Sequence, residues 1–247
     1  MSRTVVGLVL GLVLLLLLVA SAPARLLTSL LPEQQLILQG VSGTVWRGKA
    51  SRALVAVQGG WMQLGATEWS LSPLSLLLFS PAVALESHWG RQTLVAELRL
   101  QSSDALELSN VDVLLDAGLS RQFLPVGLAG DVNLQFDEIL IQDQLPVSAS
   151  GRLVWQGAGW ISPQGRRPLG SYAVDVTTAD DGMLLGEVIT LAGDLQAQGS
   201  LRLQQRQYGI DVTLDGPGLR DPQLTQALQL VAVPQGEGFR VRLDGEL

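Results

Sequence analysis

The 247-residue chain contains no cysteine, one histidine, two tyrosines and four phenylalanines, and its only lysine is Lys49. Without thiols there are no disulfide staples, no thiolate nucleophile and no zinc–thiolate site, so stability has to come from apolar packing. The lone imidazole, His88 between Ser87 and Trp89, excludes His-rich metal spacing. It allows a Ser-His-Asp triad in one way only, with no Gly-x-Ser-x-Gly elbow beside it, and it reads as a bystander at a strand end. Dense carboxylate loops for calcium are missing too; the nearest approach, Asp180-Asp181-Gly182, reads as a turn. Neither a phosphate-binding Gly-rich loop nor a dinucleotide fingerprint is present. Asp137-Glu138 is read as lying between short strands, with no partner acid or aromatic platform for glycoside chemistry. Charged residues make up only 16% of the chain and the formal net charge is −7, so the clustered positive charge that nucleic acid demands is lacking. A non-enzymatic protein without metal, cofactor or catalytic residue is expected.

What the chain does have begins at its N-terminus. Arg3 precedes an apolar run from Val5 to Ala20, and no charge returns until Arg25. The charge-free stretch Thr4 to Ala24 is long enough to cross roughly 30 Å of hydrocarbon. Ala20-Ser21-Ala22 and Ala22-Pro23-Ala24 have the small-x-small form of a signal-peptide cleavage site, but Pro23 spoils both. The uncleaved anchor is therefore the favoured reading, with a short cytoplasmic N-terminus and residues 25–247 outside the cytoplasm.

Beyond the anchor the dominant pattern is period-two alternation, the signature of strands with one wet face. Leu94, Ala96, Leu98 and Leu100 oppose Glu97 and Arg99, and Val132, Leu134 and Phe136 oppose Asn133 and Gln135. The pattern recurs at Tyr172–Val176, at Tyr208–Leu214 and at Phe239–Leu243. One-sided strands point to antiparallel sheet. Turn signals fall between them at Gln58-Gly59-Gly60, Ser72-Pro73, Ala117-Gly118, Gly157-Ala158-Gly159, Asp180-Asp181-Gly182 and Asp215-Gly216-Pro217-Gly218. The fold class expected is all-β: a transmembrane helix, then a large, mostly antiparallel sheet of roughly a dozen strands. Helices are few and short: Ser75–Phe79 fits a helical turn or a strand, and Leu119–Leu124 a short helix ended by Pro125. Asp221–Leu230 is a surface helix with Asp221 as N-cap and Pro222 at its first position.

Gly43-Thr44-Val45-Trp46-Arg47-Gly48-Lys49-Ala50 is echoed by Gly151-Arg152-Leu153-Val154-Trp155-Gln156-Gly157-Ala158. The echo suggests two similar β-subdomains, residues 26–124 and 125–247, after a tip and anchor over 1–25. Six tryptophans stand out against so few other aromatics, and four of them (Trp46, Trp61, Trp69 and Trp89) lie in the first of these. A Trp in a β-rich chain is usually a large core residue with its N–H satisfied locally; the functional alternative is a contact surface for a partner or a membrane.

Gly40-Val41-Ser42-Gly43-Thr44-Val45-Trp46-Arg47-Gly48-Lys49-Ala50, then Leu64-Gly65 and Trp69-Ser70-Leu71-Ser72-Pro73-Leu74-Ser75-Leu76, resembles the N-terminal half of the type II secretion system protein N family. That resemblance implies a bitopic inner-membrane component of the Gram-negative general secretion pathway, with a periplasmic β-domain and no assigned catalytic residues. Such a protein acts as scaffold or adaptor in exporting folded proteins across the outer membrane, touching other secretion components. Binding through sheet edges or a Trp-bearing face is expected, with Trp46, Trp69 and Trp155 as the side chains to test. An alternative follows from the starts Gly130-Asp131-Val132-Asn133-Leu134 and Gly199-Ser200-Leu201-Arg202-Leu203, similar in style to the AsmA family: an open apolar groove that binds or transfers lipid.

Overall fold

The computed structural model describes residues 11, 14, 17–30, 35–57, 60–102, 104–122, 127–162, 165–230 and 232–246. Most of the expected anchor, the Gln58-Gly59 turn and Pro125 lie outside these residues. Among the described residues no helix is long and apolar enough to cross a membrane. The chain forms two compact units, Met1–Gly90 and Arg91–Leu247.

In the first unit, helix α1 (Arg25–Leu30) precedes β1 (Leu36–Gln39), β2 (Ser42–Gly43), β3 (Arg47–Val57), β4 (Gly60–Leu71), α2 (Pro73–Leu77) and β5 (Ala82–Trp89). The strands are antiparallel in the order β1-β3-β4-β5, and the short β2 also pairs with β3. Pro73 starts α2, where its missing N–H costs nothing, so the segment left open between helix and strand is helical. The core is small: Ala24, Ala50 and Trp69 are buried, with Leu27, Leu38, Val41, Val83 and Leu85 packed around them. Beside it, Ser87 and Thr67 are buried polar residues facing each other across β4 and β5. The Thr67 hydroxyl donates to Ser87 Oγ at 3.3 Å, and Ser87 in turn donates to the Leu64 carbonyl.

The second unit is an antiparallel ladder of hairpins: β6 (Gln92–Leu100), β7 (Ala105–Asp116), β8 (Gly127–Gln142), β9 (Leu145–Ser162), β10 (Gly165–Thr178), β11 (Leu184–Ala192), β12 (Gln196–Gln204) and β13 (Gln207–Asp215) pair in sequence order. β15 (Gly238–Glu246) then pairs with β13, and the three-residue β14 (Val233–Gln235) closes the order beyond it. The alternation read from the sequence is realised directly. From strand to strand the register aligns Leu94, Val113, Leu134, Leu153, Val174 and Val188, and continues through Gly199 and Val212 to Val241. This apolar row shares one face, and every residue in it is half-buried. A smaller cluster of Ala158, Tyr172 and Ala197, flanked by Trp155, Leu169, Val188, Val212 and Leu214, is the best-buried part of the unit.

Helix α3 (Pro222–Leu228) starts as expected, with Asp221 Oδ1 accepting from the Gln223 and Leu224 backbone N–H groups at 2.9 and 3.4 Å. Ala117–Gln122 is a 3₁₀ helix, starting two residues before the helix expected from Leu119. Two local expectations are corrected. Gly157-Ala158-Gly159 is no turn but part of β9, where the register slips against Gly170, and Gly157 takes φ +54° at this bulge. Asp137-Glu138 does not separate short strands; it lies inside the 16-residue β8, at a slip against β9 that turns both side chains outward.

Candidate functional site at the Trp46 turn

The most distinctive sequence motif folds into the junction that receives the N-terminal segment. Between β2 and β3 the chain reverses, with the Thr44 N–H donating to the Arg47 carbonyl at 2.8 Å and the Arg47 N–H to Thr44 Oγ1 at 3.1 Å. The chain arriving from the N-terminus lies against this turn. Pro23 bridges Thr44, the Ala24 N–H donates to the Gly43 carbonyl at 3.0 Å, and the Val45 N–H donates to the Ala22 carbonyl at 2.9 Å. Trp46 reaches further back: its Nε1–H donates to the Val19 carbonyl at 2.8 Å. Five residues on, Ala24 is only 1% exposed, which makes it part of the core and not a linker.

Trp69, on β4, comes to the same turn from below. Its Nε1–H donates to the Val45 carbonyl at 3.2 Å, and its ring lies over Gly48. Gly43 has φ +91°, and a Cβ there would sit 2.6 Å from the Arg47 carbonyl oxygen. The spacing Gly-x-x-Trp-x-Gly is therefore a packing rule: one glycine allows the backbone turn and the other leaves room for an indole. Beside the ring lies a cavity of about 410 Å³ lined by Ser42, Gly43, Arg47, Gly48, Lys49, Glu68, Trp69, Ser70, Ala84 and Glu86. The two cations and two carboxylates at its rim are exposed, and among the described residues none of the four is held in an ion pair. Such a rim can engage a polar or zwitterionic partner segment.

The third expected residue, Trp155, belongs to the second unit. Its Nε1–H donates to the Ala129 carbonyl at 3.1 Å, and its ring stands 6.1 Å from that of Tyr172 at 48°. Tyr172 is buried, its hydroxyl lies 3.0 Å from both the Leu169 and Leu195 carbonyls, and burial pushes its pKa up to about 12. Thus the structure brings Trp46 and Trp69 together at one turn, and all three indole N–H groups are spent on main-chain carbonyls. His88 is exposed on β5, opposite Ala66. What sequence reasoning missed is the charged rim; the alternation of Arg47 and Lys49 on β3 with Glu68 across from Lys49 was its only signal.

The model of the family described as Type II secretion system (T2SS), protein N, matches residues 34–242. The chain belongs to that family. It is similar to the type II secretion system protein N of Aeromonas hydrophila, with 32% identity over 226 residues that cover 88% of this chain and 87% of the relative. The protein of the same name from Vibrio cholerae serotype O1 is 28% identical over 248 residues, covering 94% and 93%. No solved structure matches the chain. The family match covers the Trp46 turn and nearly all of the ladder, and it does not favour the lipid-groove alternative.

Proposed function

We propose that this chain is a non-enzymatic accessory component of the type II secretion apparatus. Residues 1–25 anchor it in the inner membrane, and the sheet works in the periplasm as scaffold or adaptor for folded proteins leaving across the outer membrane. Family membership supports the secretion role. The observation that carries the adaptor reading is the Trp46 turn: two main-chain hydrogen bonds and one from an indole fix the segment from Val19 to Ala24 onto the sheet, so that a tethered N-terminus would hold the sheet at a set position. Partner contact through the Trp-bearing turns falls to ring faces and the charged rim, because the indole N–H groups of Trp46, Trp69 and Trp155 are already used.

The test is deletion of the gene in its own bacterium, with exoprotein measured in the culture medium and in the periplasm. Loss of secreted exoprotein with periplasmic retention, restored by the full chain, is the expected result. Undiminished secretion from the deletion strain would overturn the reading. Full-chain Lys49→Glu and Glu68→Lys variants, folded by circular dichroism, then report whether the rim carries the contact.

A further inference from the structure

The last long strand, β15, is only half covered on its outer side. β14 pairs with residues 238–240 through Gln235↔Gly238, Pro234↔Phe239 and Val233↔Arg240, whereas residues 241–246 have no partner strand on that side among the described residues. β14 and β15 are joined by the two-residue turn Gly236-Glu237, with Gly236 at φ +61°, as a type II′ hairpin requires at its first central position. Such a turn closes on a hydrogen-bonded pair, here Gln235↔Gly238, and hydrogen-bonded positions recur at every second residue. Residues 242, 244 and 246 therefore direct their backbone N–H and C=O groups outward, an unprotected edge of the kind that recruits another strand.

The charge order on this edge says which strand fits. Read from Arg240, the even residues are Arg240, Arg242, Asp244 and Glu246: two cations, then two anions, symmetric about Leu243. Arg240 is held inside its own chain by Asp211, at 2.6 and 2.5 Å, and β14 covers its edge. Arg242 and Asp244 are not so held. Their side chains are 62% and 64% exposed and approach each other only to 3.8 Å. We infer that a second copy of this chain pairs with β15 in antiparallel register about a two-fold axis at Leu243. That register sets Arg242 against Asp244 of the other copy, twice, and both pairs fall at outward hydrogen-bonding positions. Each pair exchanges both backbone hydrogen bonds. Leu243, 49% exposed, meets its own equivalent at the central non-hydrogen-bonded position, and Val241 faces Gly245. The interface is isologous, as a two-fold pairing demands, and β14 limits it to residues 241–245. A parallel arrangement or a one-residue slip loses the opposite-charge match.

A five-residue strand pair is a small interface, so covalent trapping in the full chain is the suitable readout. The chain has no cysteine, which makes the thiol of Leu243→Cys unique. In a non-hydrogen-bonded antiparallel pair the Cα atoms lie about 4.5 Å apart, within disulfide reach. Under mild oxidation of membranes carrying the full chain, L243C is expected to give a reducible dimer, at least about tenfold more than V233C, whose thiol the two-fold axis places several residues from its equivalent. In the L243C background, R242D sets a carboxylate against Asp244 and is expected to cut the dimer by roughly tenfold, whereas R242D with D244R restores it. Both variants carrying R242D place the new carboxylate beside Asp211 in their own chain, so recovery in the double variant reports the contact between copies. Circular dichroism confirms that each variant is folded. A dimer yield from L243C no higher than from V233C, a yield indifferent to the charge swaps, or cross-linking of L243C to a different protein alone would each overturn the proposal.

Discussion

Gly48→Ala tests the packing logic of the Trp46 turn. Gly48 lies opposite Trp69 in the β3–β4 register. A Cβ there would fall 2.3 Å from Trp69 Cζ2, 2.8 Å from Cε2 and 2.9 Å from the Thr44 carbonyl oxygen. The indole has little room to retreat, because it is 9% exposed, packs with Ala24 and Ala50, and donates to the Val45 carbonyl. Overpacking of this kind costs about 1–3 kcal/mol, and displacing the ring forfeits a hydrogen bond of about 1 kcal/mol more. The expected loss is therefore roughly 2–4 kcal/mol, a large share of a stability of about 5–15 kcal/mol. Urea unfolding of the full chain, followed by far-ultraviolet circular dichroism, measures it. The stricter test is a cycle with Trp69→Ala, which alone costs roughly 3–5 kcal/mol through the cavity it leaves. Once the indole is gone, the added methyl keeps only the contact with Thr44, so G48A should cost less than about 1 kcal/mol in that background. If G48A unfolds at the wild-type urea concentration, or if the two substitutions add in full, the glycine is not there to seat the ring.

Trp46→Phe removes the donor to the Val19 carbonyl while keeping a ring; limited proteolysis should then cut the segment near residues 19–24 several-fold faster, at a cost of about 1 kcal/mol seen in the same unfolding assay. Burial raises the Tyr172 pKa from 10.0 to about 12, so the unfolded chain ionises first and stability falls as pH rises from about 10 to about 12; Tyr172→Phe flattens that limb of the urea-midpoint profile and loses the bonds to the Leu169 and Leu195 carbonyls at lower pH. Hydrogen bonding from Arg240 holds the Asp211 carboxyl below its ordinary value, so its contribution is present at neutral pH and disappears as pH falls below the ordinary carboxylate range; Asp211→Asn weakens the acid limb of the same profile. His88→Ala leaves exoprotein secretion unchanged, and a loss of secretion in a folded variant would revive an enzymatic reading.

Alternation made the strands legible because most apolar side chains of a strand lie on its less exposed face. Leu94, Ala96 and Leu98 against Glu97 and Arg99 need no tertiary knowledge to be read as a strand. The cap at Asp221 was legible for the same local reason. What was not legible depends on long-range pairing. β8 and β9 run 16 and 18 residues because bulges absorb Asp137-Glu138 and Gly157-Ala158-Gly159, residues that in isolation signal breaks. The turn between them is Asp143-Gln144, both with positive φ and no glycine, so the usual turn chemistry did not mark it. Of the candidate site, the residues Trp46 and Trp69 were visible in the sequence, but not that their N–H groups point inward, since their acceptors lie 27 and 24 residues away.

Those acceptors explain the tryptophans better than a contact surface does. The Val19 carbonyl is at the end of a helical segment, Val45 is in a turn, and Ala129 is where the β8–β9 register slips before Asp131. At Val45 and Ala129 the regular ladder stops supplying donors, and a half-buried carbonyl there needs one from elsewhere; the exposed Val19 carbonyl also accepts from the Ala22 N–H at 3.2 Å, so there the indole adds a second bond. An indole supplies a donor at the end of a large apolar plate, so it satisfies the carbonyl and fills the space that the irregularity opens. Glycine accompanies each case: Gly43 and Gly48 at the turn, and Gly130 at the slip, where a Cβ would lie 2.9 Å from Trp155 Nε1. These Gly–Trp pairs reach outside the echoed residues 43–50 and 151–158, since Gly48 seats Trp69 and Trp155 stands over Gly130, so the pairing is made by the fold and not by the echo itself.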